Sequence, residues 1–169
     1  ARTLVNSAGG STRDEDRKFS IVPPIYRRRG NDHLAGRALG KTVAEMLKGD
    51  FDSVFSRFDR AAQFDLPGGI VVNGRDAGLR ALKDLLTPLI CDDLVIEHEM
   101  GHSDPARGER GAVRAVTRGV HAKSGWLGAP TNKELVALSI WHADFLGEKI
   151  GRLFVLQDEV AMWRQVLSV

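Results

Sequence analysis

The stretch Gly119–Leu135, GVHAKSGWLGAPTNKEL, decides how this chain is read. Alternating apolar segments flank it on both sides, while its own Gly, Pro and Asn residues cannot continue a strand. It therefore reads as a long, shaped connection between two strands. Beyond it lie Val136 to Leu146 and Ile150 to Asp158, a pair of strand-like segments that carry Asp158 to the end of an apolar run. A lone carboxyl in such a place is a candidate acid/base group, because burial raises a carboxyl pKa.

The composition bounds the rest. A chain of 169 residues with 43% hydrophobic content suits one domain able to bury its own core. Lys plus Arg number 24 against 22 Asp plus Glu, a net charge of only +2, which gives no electrostatic case for a nucleic-acid partner. A hydrophobic small molecule is the expected partner instead. Cys91 stands alone, so no intrachain disulfide forms and the thiol is expected as a small buried hydrophobe. No apolar run approaches the ~20 residues that span a bilayer, and the N-terminal segment lacks the apolar core of a secretion signal. The expectations are no membrane association and a cytoplasmic location. The excess of Arg over Lys points to a high-GC bacterial source.

Residues 1–32 contain few large apolar side chains, the charged run Arg13 to Lys18 and a Pro23-Pro24 step, and are expected to form a flexible arm ahead of a domain at 33–169. Arg27-Arg28-Arg29 reads as the solvated entry to the first helix. From His33 the spacing of Leu39, Val43, Met46 and Leu47 predicts a helix that stops at Gly49. Asp50 is placed to cap a second short helix carrying Phe51, Val54, Phe55 and Phe58. Short extended pieces follow on either side of Pro67-Gly68-Gly69. A further helix is expected from Asp76, with Leu79, Leu82, Leu85, Leu86 and Leu89 as its apolar stripe.

After Asp93 the period becomes two, which predicts a strand with Leu94, Ile96, His98 and Met100 on one side. Ala112 to Ala122, Val136 to Leu146 and Ile150 to Leu156 continue the pattern, and Glu159 to Leu167 closes the chain as a short helix. Helices first and a meander of strands after them define an α+β domain.

With that order on the page, particular motifs resemble the SnoaL-like polyketide cyclase family of the nuclear-transport-factor-2-like superfamily. They are Gly49-Asp50-Phe51-Asp52, Leu66-Pro67-Gly68-Gly69 with Asn73-Gly74-Arg75-Asp76-Ala77, and Asp93 before Leu94-Val95-Ile96. To these add Gly119-Val120-His121, Gly128-Ala129-Pro130-Thr131-Asn132-Lys133, Gly147-Glu148-Lys149-Ile150, and Asp158 with Gln165. The chain departs from the family pattern at Val120, at Asn132, and at Gln157 and Glu159 beside Asp158.

The resemblance implies a cone: a curved antiparallel sheet wrapped by the N-terminal helices around an internal cavity. It also implies homodimerisation through the outer face of the sheet and chemistry without a cofactor or metal. The implied chemistry is acid/base catalysis, an intramolecular aldol cyclisation or isomerisation of a hydrophobic carbonyl compound, with Asp158 as acid/base. The alternative within the same fold is a non-catalytic domain that binds a small molecule.

His142 and Asp144 lie two apart on one strand, share a face, and are the next candidates for the catalytic group. A three-residue loop around Gly147 places Asp158 on their side, and a two-residue loop places it with Trp141. His121 is expected at the cavity mouth, and Trp126, Trp141 and Phe154 along the cavity wall. A competing motif is His98-Glu99-Met100-Gly101-His102, which on a helix would set two imidazoles for zinc in a hydrolase. Strand periodicity before it, Gly101 within it and Pro105 after it oppose a helix; on a strand the two imidazoles stand ~13 Å apart.

Overall fold

A computed structural model describes residues 30–168. Apart from its last residues, the arm expected over 1–32 lies outside them. The element order is α1 (Leu34–Leu47), β1 (Phe58–Leu66), β2 (Ile70–Asn73), α2 (Arg75–Leu86), β3 (Leu89–Asp104), β4 (Gly108–His121), β5 (Glu134–Leu146), β6 (Lys149–Gln157) and α3 (Glu159–Leu167). The strands form one curved, open sheet in the order β2-β1-β6-β5-β4-β3. Every pairing is antiparallel except β1 with β6. This is the expected α+β architecture, helices wrapped over one face of a mostly antiparallel sheet. No helix among the described residues is long and apolar enough to cross a membrane.

Helix α1 forms where the spacing predicts it. His33 caps it, Nδ1 accepting the Ala35 N–H at 3.2 Å. Leu39, Val43 and Met46 are wholly buried one turn apart, on the stripe a helix packs inward. The approach of α1 to the sheet is set by glycines. A Cβ on Gly36 would stand 2.7 Å from the Met100 carbonyl carbon, and one on Gly111 would stand 2.7 Å from the Ala35 carbonyl oxygen. Helix and strands thus meet backbone to backbone.

The helix expected over Phe51 to Phe58 does not form. Asp50 accepts the Ser53 N–H at 3.1 Å in a turn, one 3-10 turn spans Phe55–Arg57, and Phe58 already opens β1. Aromatic and β-branched residues are weak helix formers, and Phe58 gains more from full burial beside Phe64, with ring centroids 5.2 Å apart.

Strands β3 to β5 have one face under the helices. Val113, Ala115, Trp141 and Ala143, with Leu153 and Val155 of β6, look inward and are buried. The β5–β6 hairpin pairs Leu146 with Lys149 across the two residues Gly147 and Glu148, yet a bulge follows: Phe145 pairs with Ile150 and Asp144 with Arg152. Gly151 is the extra residue, and it reverses the parity that a two-residue loop alone would set. His142, Asp144, Phe154 and the position of Asp158 therefore share a face after all.

A second small core joins α3 to the β4–β5 connection through Met162, Val166, Leu127 and Leu135. Gln165 acts there as a substitute strand: its Oε1 accepts the Val136 N–H at 2.7 Å and its Nε2 donates to the Val136 carbonyl at 2.9 Å. Lys133 Nζ donates to the Val166 carbonyl at 2.9 Å and to that of Ser168, closing the C-terminal turn.

The close contact of α1 with β4 is directly testable. Gly111→Ala forces the helix outward and should lower stability by about 1–3 kcal/mol, read by chemical denaturation; an unchanged midpoint would mean that α1 does not sit where described.

Candidate functional site

The inner face of the sheet, where it runs out from under α1, ends in a slot. Leu47, Leu85, Leu86 and Leu89 line one side, Trp126 and Met162 another, and Thr117, Ala137, Ser139 and Gln157 form its floor. Its volume is about 20 Å³, enough for about one water molecule and well short of the ~300–1,000 Å³ of drug-sized pockets. Under α1 the internal cavity is largely filled by side chains. Leu39, Met46, Phe58, Phe64, Trp141 and Leu153 occupy it, each with no exposed surface.

Three polar side chains cross the floor on adjacent strands: Ser139 stands directly opposite Gln157, and Thr117 lies diagonal to Ser139 through the Thr117–Ala137 pair. Thr117 and Ser139 are 3% and 5% exposed. The Ser139 hydroxyl accepts the Trp141 indole N–H at 2.9 Å, which leaves its own O–H to donate. Thr117 Oγ1 and Gln157 Oε1 are buried with no partner among the described groups. The Gln157 Nε2 faces Met162 Sδ at 2.8 Å, a weak acceptor. Such groups cost about 1–3 kcal/mol each when left without a hydrogen bond, so the floor presents unmet polar capacity inside an apolar wall.

The expected site residues divide between three places. Trp126 lines the slot, and its Nε1 donates to the Leu85 carbonyl at 2.8 Å, fixing the indole against α2. Trp141 faces inward as core rather than as wall. His121 is fully buried behind the slot, with Nδ1 at 3.1 Å from Thr131 Oγ1.

His142, Asp144 and Phe154 stand on the opposite, outer face, because cavity residues of β5 and β6 are those in register with Trp141 and Leu153. There His142 stacks on Phe154 at 5.3 Å, Asp144 pairs with Arg110 at 3.1 Å, and Arg152 lies 4.3 Å over Phe154. Arg152 also grips Asp65 through two hydrogen bonds of 2.8 and 3.1 Å, which hold the Asp65 carboxyl below its usual pKa range.

Asp158 is exposed, not enclosed. Its carboxylate accepts the Ala161 N–H at 2.9 Å and its own N–H donates to the Leu138 carbonyl at 3.0 Å, so it is the N-cap of α3.

The zinc alternative fails on geometry. His98 to His102 all lie in β3, with both imidazoles on the outer face and Glu99 turned inward against Gly40 of α1. Among the described residues no three His, Cys, Asp or Glu side chains gather as metal ligands.

Sequence reading missed the polar floor of the slot and a second constellation outside it. At the far end of α1, in a groove of about 540 Å³, His33 Nε2 lies 3.0 Å from Ser103 Oγ and 3.4 Å from Glu109 Oε2. It is not a hydrolytic triad. Nδ1 accepts a backbone N–H, so neutral His33 carries its proton on Nε2 and has no lone pair facing the serine. Residues 70 apart in sequence meet only through the α1–β3 contact, so no local motif announced them.

No family model matches the sequence, and neither does any curated protein. Solved structures do match in shape. A candidate SnoaL-like polyketide cyclase from Jannaschia sp. CCS1 superimposes with a TM-score of 0.66 at 11% identity, over 82% of this chain and 98% of that one. A candidate polyketide cyclase from Streptomyces antibioticus gives 0.63 at 17% identity, over 79% and 99%. A candidate isomerase from Bacillus subtilis gives 0.60 at 15% identity, over 78% and 91%.

The cap role of Asp158 sets a prediction. Asp158→Ala should cost about 1 kcal/mol of stability and Asp158→Asn much less, since asparagine caps as well as aspartate; thermal melts of the two variants read the difference. Similarity at these identities is similarity of fold: the chain has the nuclear-transport-factor-2-like cone fold, in the form carried by proteins named SnoaL-like polyketide cyclases.

Proposed function

We propose that this protein binds a slender hydrophobic molecule through a carbonyl oxygen seated at Thr117, Ser139 and Gln157, without acid/base chemistry in the slot. The observation that carries this reading is the buried, unpartnered Thr117 hydroxyl on the slot floor. Thr117 and Ser139 each offer a hydroxyl donor there, and Gln157 Nε2 keeps a second N–H besides the one facing Met162 Sδ. A carbonyl oxygen accepts from such donors and carries its apolar body along Leu86, Leu89, Trp126 and Met162. At about 20 Å³ the slot admits such a molecule only if lining side chains such as Met162 and Leu86 are displaced.

The polyketide cyclase and isomerase names of similar structures favour a carbonyl ligand. Proton transfer from carbon needs a base within ~3 Å of the reacting atom, and none of the described side chains lining the slot is ionisable. Binding alone is therefore the better-supported role.

The test uses undecan-2-one, followed by tryptophan fluorescence, since Trp126 lines the slot. Wild type should bind it, and Thr117→Val with Gln157→Leu should bind about tenfold more weakly while remaining at least as stable, because two unmet polar groups are removed. Loss of stability with unchanged binding would show that the polar row is structural, and absence of any ketone binding would end the reading.

The proposed state is a homodimer through the outer sheet face. Val95, Met100, Ile140 and Leu156 lie on that face with 44–65% of their surface exposed, and Ile140 pairs across strands with Leu156. An exposed apolar stripe of this kind, rimmed by the Arg110, Asp144, Arg152 and Asp65 charges, is self-complementary under a two-fold axis. Ile140→Glu should halve the mass seen by light scattering; a wild-type monomer at micromolar concentration removes the dimer.

A further inference from the structure

Beside the slot lies a second groove, of about 260 Å³, between the ends of α1 and α2 and the start of β3. Leu47, Leu86 and Leu89 line both, so the two spaces share one wall. Lys48, Lys83 and Lys123 stand around the groove, and no Asp or Glu lines it. Met46, Phe51 and Ile90 add apolar surface, with Thr87 and Cys91 between them.

The ordinary explanation for lysines near helix C-termini is that they satisfy the last carbonyls. That role is already filled here. The Ala44 and Glu45 carbonyls accept the Lys48 backbone N–H, the Lys83 carbonyl accepts from Thr87, and the Leu85 carbonyl accepts from Trp126. Lys133 shows what a capping lysine looks like, with its ammonium 2.9 Å from the Val166 carbonyl. Among the described residues the ammonium groups of Lys48, Lys83 and Lys123 make no such bond, and none is in an ion pair. Arg37, Arg57, Arg75, Arg110, Arg114 and Arg152 each pair with a carboxylate, whereas among the described residues no lysine does.

The positive charge reaches the groove wall. Cys91 on that wall has its thiol pKa raised chiefly by burial, with Asp92 and Asp93 adding to the rise, while Lys48 pulls it down. Neither aspartate lines the groove, and the thiol stays protonated and unreactive.

We infer that the slot's ligand is a keto acid, its ketone on the Thr117–Ser139–Gln157 floor and its carboxylate among Lys48, Lys83 and Lys123, with a hydrocarbon spacer crossing the shared leucine wall. This rests on the reading of the slot as a carbonyl site. Three ammonium groups around the groove complement an anion attached to a hydrocarbon, and displacement of the shared Leu47, Leu86 and Leu89 side chains would join the two spaces with the ketone end inward.

The probes are 9-oxodecanoate, its methyl ester and undecan-2-one, titrated against the whole chain by tryptophan fluorescence. At low salt the free acid should bind about tenfold more tightly than the ester, as expected for a few partly exposed ion pairs acting together. The advantage should vanish near 1 M salt, where the screening length falls to ~3 Å. It should also vanish in the Lys48→Gln, Lys83→Gln, Lys123→Gln triple variant, whose binding of undecan-2-one stays unchanged. Equal affinity for acid and ester in wild type overturns the keto-acid inference and leaves the carbonyl site standing. Failure of all three probes to bind overturns the carbonyl site itself, and with it the inference.

Discussion

The architecture depends on how closely α1 lies on the sheet. Backbone meets backbone at Gly36 on the helix and Gly111 on β4, with no room for a Cβ on either. Contact that close leaves no layer of large side chains between α1 and the ends of β3 and β4, and it pushes the large residues, Trp141, Phe64 and Leu153, toward the middle of the cone, where they fill it. Interiors pack without voids wherever side chains are free to interdigitate. The slot lies at the end of α1, where α2, the β4–β5 connection and α3 bound it together with Leu47.

That same closeness explains an odd distribution of side chains on β5. Its inner face carries Ala137, Ser139, Trp141 and Ala143, while its outer face carries Val136, Leu138 and Ile140. Small residues face the helices because space there is short. Large aliphatic residues face away, which a sheet with one solvated face does not favour. The proposed homodimer would cover that outer face and would account for both faces being apolar.

Much of the fold was legible because its periods are strong. Leu39, Val43 and Met46 gave α1, the alternation from Leu94 onward gave the long strands, and Asp158 followed by Val160, Trp163 and Leu167 gave α3. Three things were not legible. The Phe51 to Phe58 segment has helical spacing, but its aromatic residues are claimed by tertiary burial in β1. Which face of β5 is the inner one cannot be read from a strand apolar on both sides, so His142 and Asp144 had no assignable side. The bulge at Gly151 is a one-residue change of register, invisible to periodicity, and it decides that Asp158 shares the outer parity of His142. The polar floor of the slot was missed for a related reason: Thr117, Ser139 and Gln157 are distant in sequence and meet only through strand register.

The slot floor and the helix that covers it are held by separate means. α3 is fixed by Gln165 on the Val136 backbone, by Lys133 on its C-terminal carbonyls and by Asp158 at its N-terminus. None of these bonds involves Thr117 or Ser139; the floor touches α3 through Gln157, whose Nε2 faces Met162 Sδ at 2.8 Å. A polar row that cost stability and served packing alone would be replaced at no loss by apolar residues of the same shape. Under the proposed function, the unmet Thr117 hydroxyl on that floor is the group a bound carbonyl oxygen would satisfy.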